Sequence, residues 1–228
     1  MILFYFTMKR FFRSFINLFL LFVLPFGLVF LPKGQWPPLP MGFQYYGMAL
    51  LFIAARLTGS IQEDRSTGTA LRIAAAPVTH FQYLWQNLLA FSVILTGLNV
   101  FFILAGVWIH GSALTSPLLL FIVYSFFSMT AIGFSLAWHS LFRNKEAAFA
   151  VIYGVVILMV MLGGLLWPIQ AFPLVFQRIA MLLPIYWLAE GVGKITSGGT
   201  LLDLTLSLVM LWMYSLVFLL LGSRRKIT

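Results

Sequence analysis

The chain has 228 residues, of which 62% are hydrophobic and only 8% are charged, whereas a soluble domain carries about 25% charged residues. So few charges exclude a water-covered globular surface; at roughly 20 residues per membrane-spanning helix, the length suits six spans without a soluble catalytic domain. The net charge of +9 does not indicate a nucleic-acid partner, because the basic residues are scattered, and the lack of cysteine excludes disulfides and thiolate metal sites.

The amino-terminal part of the chain predicts a surface helix followed by a first span. Residues 1–13 alternate aromatic side chains with Lys9, Arg10 and Arg13, as expected of a segment that lies among lipid headgroups. The apolar run at 14–31 is long for the core of a signal peptide and lacks a small-residue cleavage site. We therefore expect a retained span.

The middle of the chain predicts three further spans. The second span covers residues 41–59. No Asp, Glu, Lys or Arg occurs from residue 73 to residue 142, a stretch too long for one span. A His-Gly-Ser turn and a proline divide this stretch into a third span at 81–109 and a fourth at 118–140.

The last third of the chain combines two spans with a section that prolines interrupt. The fifth span is predicted at residues 147–167 and the sixth at 201–221. Between them, three prolines prevent one continuous helix across residues 168–193. We expect two short helices there that enter the outer leaflet and return, which requires surrounding protein or a water-filled cavity.

The same section contains the candidates for an outer gate, which are Pro168, Arg178, Pro184 and Glu190. Arg178 and Glu190 are charges within apolar sequence, and such residues are functional candidates in membrane proteins. The alternative interpretation is that both side chains only reach the outer headgroups.

The distribution of basic residues predicts the orientation. On the six-span map one side holds eleven of the 14 Lys and Arg, namely Lys9, Arg10, Arg13, Arg56, Arg65, Arg72, Arg143, Lys145, Arg224, Arg225 and Lys226. The other side holds Lys33, Arg178 and Lys194. Because cytoplasmic loops are enriched in Lys and Arg, both termini are predicted to be cytoplasmic in a cell-membrane protein. The expected fold is an all-α integral membrane protein, with residues 1–228 forming one domain.

Several kinds of chemistry find no support in the sequence. The nearest approach to a phosphate-binding loop has Leu188 in place of its first glycine and Ile195 in place of its Ser or Thr. His80, His110 and His139 lie far apart and near span ends, which favours interfacial histidines over a metal site. No pair of carboxylates lies within a span, which argues against a proton-coupled carrier. We predict no ATP hydrolysis and no cofactor in this chain.

One markedly polar segment, at residues 62–77, separates the second and third spans. Glu63 and Asp64 are predicted to begin a short helix, because a helix N-terminus favours anions, and Arg72 lies near its other end. This helix would lie along the cytoplasmic face. An ordinary solvated loop is equally compatible with the composition.

This polar segment resembles the cytoplasmic segment of the type-2 class of ABC exporter permeases, in the pattern Glu63-Asp64-Arg65-x-x-Gly68-Thr69-x-x-Arg72-x-x-x-x-Pro77. The number of spans, the short loops and the proline-broken outer section also resemble that class. The resemblance implies that residues 63–75 form a coupling helix seated in a groove of a cytoplasmic ATPase. The implied coupling residues are Glu63, Asp64, Arg65, Gly68, Thr69 and Arg72.

The resemblance also implies an assembly of two permease chains, identical or different, with two copies of an ATPase that binds ATP and Mg²⁺. The expected cargo is a hydrophobic or amphipathic compound, such as a drug or an antimicrobial peptide, exported from the cytoplasm or the inner leaflet. A haem-exporter-like permease and an exporter of polysaccharide or lipid-linked glycan are the alternatives. A membrane enzyme acting on lipids would need clustered acids, histidines or serines at one face, and the sequence indicates no such cluster. A channel or passive scaffold would need no ATPase, so an ATPase that purifies with the chain would distinguish an exporter from it.

Overall fold

The computed structural model describes residues 2–32, 39–66, 80–111, 114–142 and 144–223. Within these ranges the secondary structure is helical, as the sequence predicts. The helices are α1 (Ile2–Arg13), α2 (Phe15–Val29), α3 (Met41–Ser66), α4 (His80–His110), α5 (Pro117–Leu141), α6 (Lys145–Leu162), α7 (Leu174–Ala180), α8 (Pro184–Thr196) and α9 (Thr205–Ser223).

Three of the described helices, α4, α5 and α9, are each long and apolar enough to cross a membrane. The pairs α1/α2 and α7/α8 are bent by 80° and 98°, and the count rises to five if each pair is one span. Helix α3 has 26 residues but carries Arg56 and other polar side chains, and the apolar part of α6, Glu146–Leu162, is shorter. A helical membrane protein is confirmed, and the six-span count stays a prediction.

Two predicted span boundaries are wrong. The fifth span was expected to reach residue 167, but α6 ends before Gly164, whose φ of +80° is a left-handed conformation that favours glycine. The sixth span was expected to begin at residue 201, but a turn precedes α9. In that turn the carboxylate of Asp203 accepts a hydrogen bond of 2.7 Å from the backbone N–H of Thr200.

Helix α5 is the centre of the fold and contacts α3, α4, α8 and α9. It packs most extensively on α9, where glycines permit close approach: a Cβ added at Gly133 would lie 3.1 Å from the carbonyl oxygen of Ser215. Thr130 Oγ1 also donates a hydrogen bond of 2.8 Å to the carbonyl oxygen of Leu211. Small residues and interhelical hydrogen bonds are what hold helices together in lipid, because lipid tails are as apolar as the side chains.

A chain of buried polar side chains connects α3, α4 and α5. Tyr46 Oη donates to Asn99 Oδ1 at 2.8 Å, and Asn99 Nδ2 donates to Ser128 Oγ at 3.0 Å. The Tyr124 hydroxyl donates to the carbonyl oxygen of Phe43 at 2.5 Å. Because a buried polar group without a partner is costly, these bonds favour one rotation of each helix relative to the other two.

We expect Asn99→Leu to lower the free energy of unfolding by about 1 kcal/mol, as is typical of hydrogen bonds between membrane helices. The substitution removes one acceptor and one donor while keeping a similar side-chain volume. Thr96→Leu, at an exposed position about one turn earlier on α4, is the matched control. Unfolding by titration with a denaturing detergent measures the stability of both variants. Equal midpoints would contradict a stabilising role for the buried polar side chains.

Candidate functional site

The carboxyl-terminal end of α3 contains the first predicted coupling residues. The expected helix start at Glu63 is wrong, because α3 runs unbroken from Met41 to Ser66 and places Glu63 and Asp64 in its last turn. A helix C-terminus carries partial negative charge and disfavours carboxylates there. The buried Asp64 is compensated by partners from two other helices.

Three of the six predicted coupling residues lie in the described part of the chain, and two of them differ in exposure. Glu63 is exposed, Asp64 is buried, and Arg65 contributes its backbone to α3. Gly68, Thr69 and Arg72 lie outside the described residues. The role of all six in coupling stays a prediction.

Asp64 is held by residues from two other helices. Arg10 Nη1 of α1 lies 2.5 Å from Asp64 Oδ1, and the Tyr83 hydroxyl of α4 donates to Asp64 Oδ2 at 2.7 Å. The Asp64 side chain is 8% exposed, whereas that of Arg10 is 45% exposed. We call the group of Arg10, Asp64 and Tyr83 the Asp64 latch. Its contacts join the ends of three helices and keep the carboxylate of Asp64 buried.

Two further bonds attach α1 to α4. Thr7 Oγ1 donates to Asn87 Oδ1 at 2.7 Å in a buried contact, and the backbone N–H of Phe4 donates to Gln86 Oε1 at 3.3 Å. The amino-terminal helix is therefore docked on the protein by specific polar contacts as well as by its buried Phe11. The sequence predicted a surface helix but offered no sign of these partners.

A second buried contact joins the end of α3 to the end of α5. His139 Nδ1 lies 2.9 Å from Gln62 Oε1, and His139 Nε2 lies 3.1 Å from the carbonyl oxygen of Ala55. Gln62 Nε2 donates to the carbonyl oxygen of Phe142 at 3.1 Å. The prediction of an interfacial histidine is wrong for His139, which is 3% exposed and joins two helices. No group of His, Asp or Glu within the described ranges could hold a metal ion.

An open cavity of about 300 Å³ lies beside the Asp64 latch, where α1 and α2 meet at their bend. We call it the elbow cavity; its polar lining includes Arg10, Ser14, Asn17, Arg56, Ser60 and Glu63. It thus adjoins both the first predicted coupling residue and the amino-terminal helix.

Residues 168–193, the section predicted to lie on the outer side, contain the two short helices predicted there. A 3₁₀ turn at Ile169–Ala171 follows Pro168, and Pro184 opens α8, where its lack of an N–H costs no helical hydrogen bond. Helices α7 and α8 meet at 98°. The entry of this pair into the outer leaflet stays a prediction.

The charged gate candidates have different surroundings. Glu190 pairs with Lys194 one turn later on α8, at 3.3 Å, and lines an open cavity of about 260 Å³ with Gly164 and Tyr186. Arg178 is exposed in the last turn of α7, where a helix C-terminus favours a cation. The described ion pair of Glu190 is therefore local to its own helix, and a gating role for either residue stays a prediction.

Comparison with known proteins points to one family. The sequence profile described as "ABC-2 family transporter protein" matches residues 41–224. The chain is also similar to the linearmycin resistance permease protein LnrN of Bacillus subtilis (strain 168), with 28% identity over 156 residues. The aligned region is 67% of this chain and 40% of that relative, so the chain matches less than half of the relative's length.

Proposed function

This chain belongs to the ABC-2 family of transporter proteins, and we propose that it is the membrane-spanning subunit of an exporter driven by a separate ATPase. The family consists of membrane transport proteins rather than enzymes. In this proposal two such chains, identical or different, assemble with two ATPase subunits. The complex lies in the cell membrane with both termini of this chain in the cytoplasm.

The observation that supports this mechanism most directly is the continuity of α3. One helix of 26 residues carries Tyr46 of the buried polar chain near its beginning and Glu63 near its end. A displacement applied at the end of a packed helix moves its length as a rigid body. An ATPase that contacts Glu63 and the residues that follow would displace the end of α3. That displacement would therefore reach the centre of the fold.

Contacts made by Asp64 and Gln62, which flank Glu63, would transmit that displacement to other helices. The Asp64 latch joins the end of α3 to α1 and α4, and the contact of Gln62 with His139 joins it to α5. In our proposal Glu63, Arg65, Gly68, Thr69 and Arg72 take part in the contact with the ATPase. Asp64 instead positions the end of α3, because its carboxylate is turned away from solvent.

We propose a hydrophobic or amphipathic cargo, such as a drug or an antimicrobial peptide. Large exposed apolar side chains on several helices, among them Phe26 and Trp108, suit a lipid-facing protein that takes cargo from the bilayer. The name of the similar Bacillus subtilis protein, a linearmycin resistance permease, supports export of a toxic compound.

The proposal predicts that Glu63→Ala lowers cargo-stimulated ATP hydrolysis and export about tenfold, within the usual range for coupling between two sites. The chain is co-expressed with its ATPase, reconstituted in vesicles and assayed for both activities. Glu146→Ala, which removes an exposed carboxylate at the beginning of α6, is the control and is expected to keep both activities. Unchanged export in Glu63→Ala, or no ATPase purifying with the chain, would overturn the proposal.

A further inference from the structure

The elbow cavity has features of a binding site that coupling to an ATPase does not explain. Its volume of about 300 Å³ would hold roughly ten water molecules, and it opens beside the bend between α1 and α2. Ser14 and Asn17 line it from the beginning of α2, and Arg56 lines it from α3. A cavity with such a lining accommodates a compact polar group.

Arg56 provides a positive charge without a paired carboxylate. Its Nε donates to Asn17 Oδ1 at 3.1 Å, and its guanidinium carbon lies 6.0 Å from the centre of the Phe149 ring. No carboxylate of the described residues forms an ion pair with Arg56, whereas Arg10 in the same cavity is paired with Asp64. Glu63 also lines the cavity, but the ion pairs found among the described residues do not join it to Arg56. The terminal nitrogens of Arg56 remain available for an anion.

Ser14 adds an uncommitted hydroxyl beside this charge. It is the N-cap of α2 but makes no capping hydrogen bond with its side chain. The first backbone amides of a helix have no acceptor within the helix, and its N-terminus carries partial positive charge. A guanidinium group and a hydroxyl at a helix beginning thus line one cavity, and all of these donors suit an oxyanion.

The surroundings of the elbow cavity indicate where that oxyanion comes from. Helix α2, which contributes Ser14 and Asn17 to the cavity, exposes a row of phenylalanines on another face, with Phe15 80%, Phe19 52% and Phe22 46% exposed. Helix α1 exposes Tyr5 and Phe6. An anionic headgroup on apolar chains matches a polar cavity between two helices whose exposed faces are apolar.

We propose that the elbow cavity binds the phosphate group of a membrane lipid, held by Arg56 and Ser14, with the acyl chains along α2. This site requires only that the chain lies in a membrane, and it does not depend on the coupling to an ATPase. The lipid would brace the bend between α1 and α2 at the level of the headgroups.

The test is a binding titration of the full-length chain in detergent with three probes: short-chain phosphatidylglycerol, the corresponding diacylglycerol without phosphate, and inorganic phosphate. We expect phosphatidylglycerol to bind at least about tenfold more tightly than diacylglycerol, the loss expected for one charge-assisted hydrogen bond. Inorganic phosphate lacks the apolar chains and is expected not to compete at equal concentration. Equal binding of diacylglycerol, or full competition by inorganic phosphate, would overturn the lipid-phosphate assignment.

Substitutions of Arg56 and Ser14 test whether phosphatidylglycerol binds in the elbow cavity. Arg56→Gln is expected to weaken phosphatidylglycerol binding about tenfold, and Ser14→Ala about threefold, as for the loss of a charged and a neutral hydrogen bond. Arg178→Gln, at an exposed arginine of α7 that does not line the cavity, is the control and is expected to keep the wild-type affinity. If Arg56→Gln does not fold, Arg56→Lys with Ser14→Ala decides. Wild-type affinity in these variants would contradict the proposal.

Discussion

Arg10→Ala is expected to destabilise the folded chain by about 3 kcal/mol, more than the removal of its partner Asp64. The physical reason is the difference in exposure between the two side chains, which is 45% for Arg10 and 8% for Asp64. Without Arg10, a buried carboxylate keeps only the Tyr83 hydroxyl, and an uncompensated buried charge typically costs about 3–5 kcal/mol. Without the carboxylate, the half-exposed arginine is solvated.

Asp64→Asn is therefore expected to cost only about 1.5 kcal/mol, the lower end of the range for a lost charge-assisted hydrogen bond. The double variant Arg10→Ala with Asp64→Asn should be more stable than Arg10→Ala alone, because it removes the unpaired charge. Detergent unfolding of the three variants forms a double-mutant cycle.

Arg13→Ala, at an exposed position on the same helix, is the control for the latch and should stay close to the wild type. Hydrogen exchange gives a second measurement, since loss of the latch should reduce the protection of α1 while sparing α5. Equal destabilisation by Arg10→Ala and Arg13→Ala would show that the Asp64 latch contributes nothing.

The second large effect is expected for Gly42→Ala, at the contact between α2 and α3. A Cβ added at Gly42 would overlap the backbone carbonyl oxygen of Leu28, which cannot move aside as the end of a side chain can. Overpacking of this kind costs about 1–3 kcal/mol, and we expect a value near the upper limit. The thermal midpoint of the purified chain measures the loss.

Gly27→Ala is the matched control for Gly42→Ala, because a Cβ at Gly27, in the last turn of α2, would meet no atom within 4 Å. Alanine is favoured over glycine in a helix by about 1 kcal/mol, so this variant should be as stable as the wild type or slightly more stable. A similar fall in both midpoints would contradict a steric explanation for Gly42.

The helices of this protein follow largely from local sequence patterns. The predicted third and fourth spans at 81–109 and 118–140 agree closely with α4 and α5, because long apolar runs and a proline mark them. The bent pair α7 and α8 was expected for a similar reason, since proline excludes a continuous helix. Hydropathy and proline positions are local signals, and they determine where helices begin and end.

The prediction of the site was less accurate, because the geometry of the site depends on residues that are distant in the sequence. Glu63 and Asp64 looked like the beginning of a helix, but a partner 54 residues earlier in the chain, Arg10, holds Asp64 at the end of α3. His139 looked interfacial, but Gln62, 77 residues away, buries it. Such pairings are properties of the packed helices and cannot be read from spacing along one segment.

Site-specific cross-linking tests most directly whether the segment after α3 contacts an ATPase. The chain has no cysteine, so Thr67→Cys gives a single site for a photoreactive label in a complex formed with the co-expressed ATPase. We predict an adduct with the ATPase from position 67 and none from Ser197→Cys, at an exposed position after α8. An adduct from position 197, or none from position 67, would show that the segment after α3 does not form the proposed contact with the ATPase.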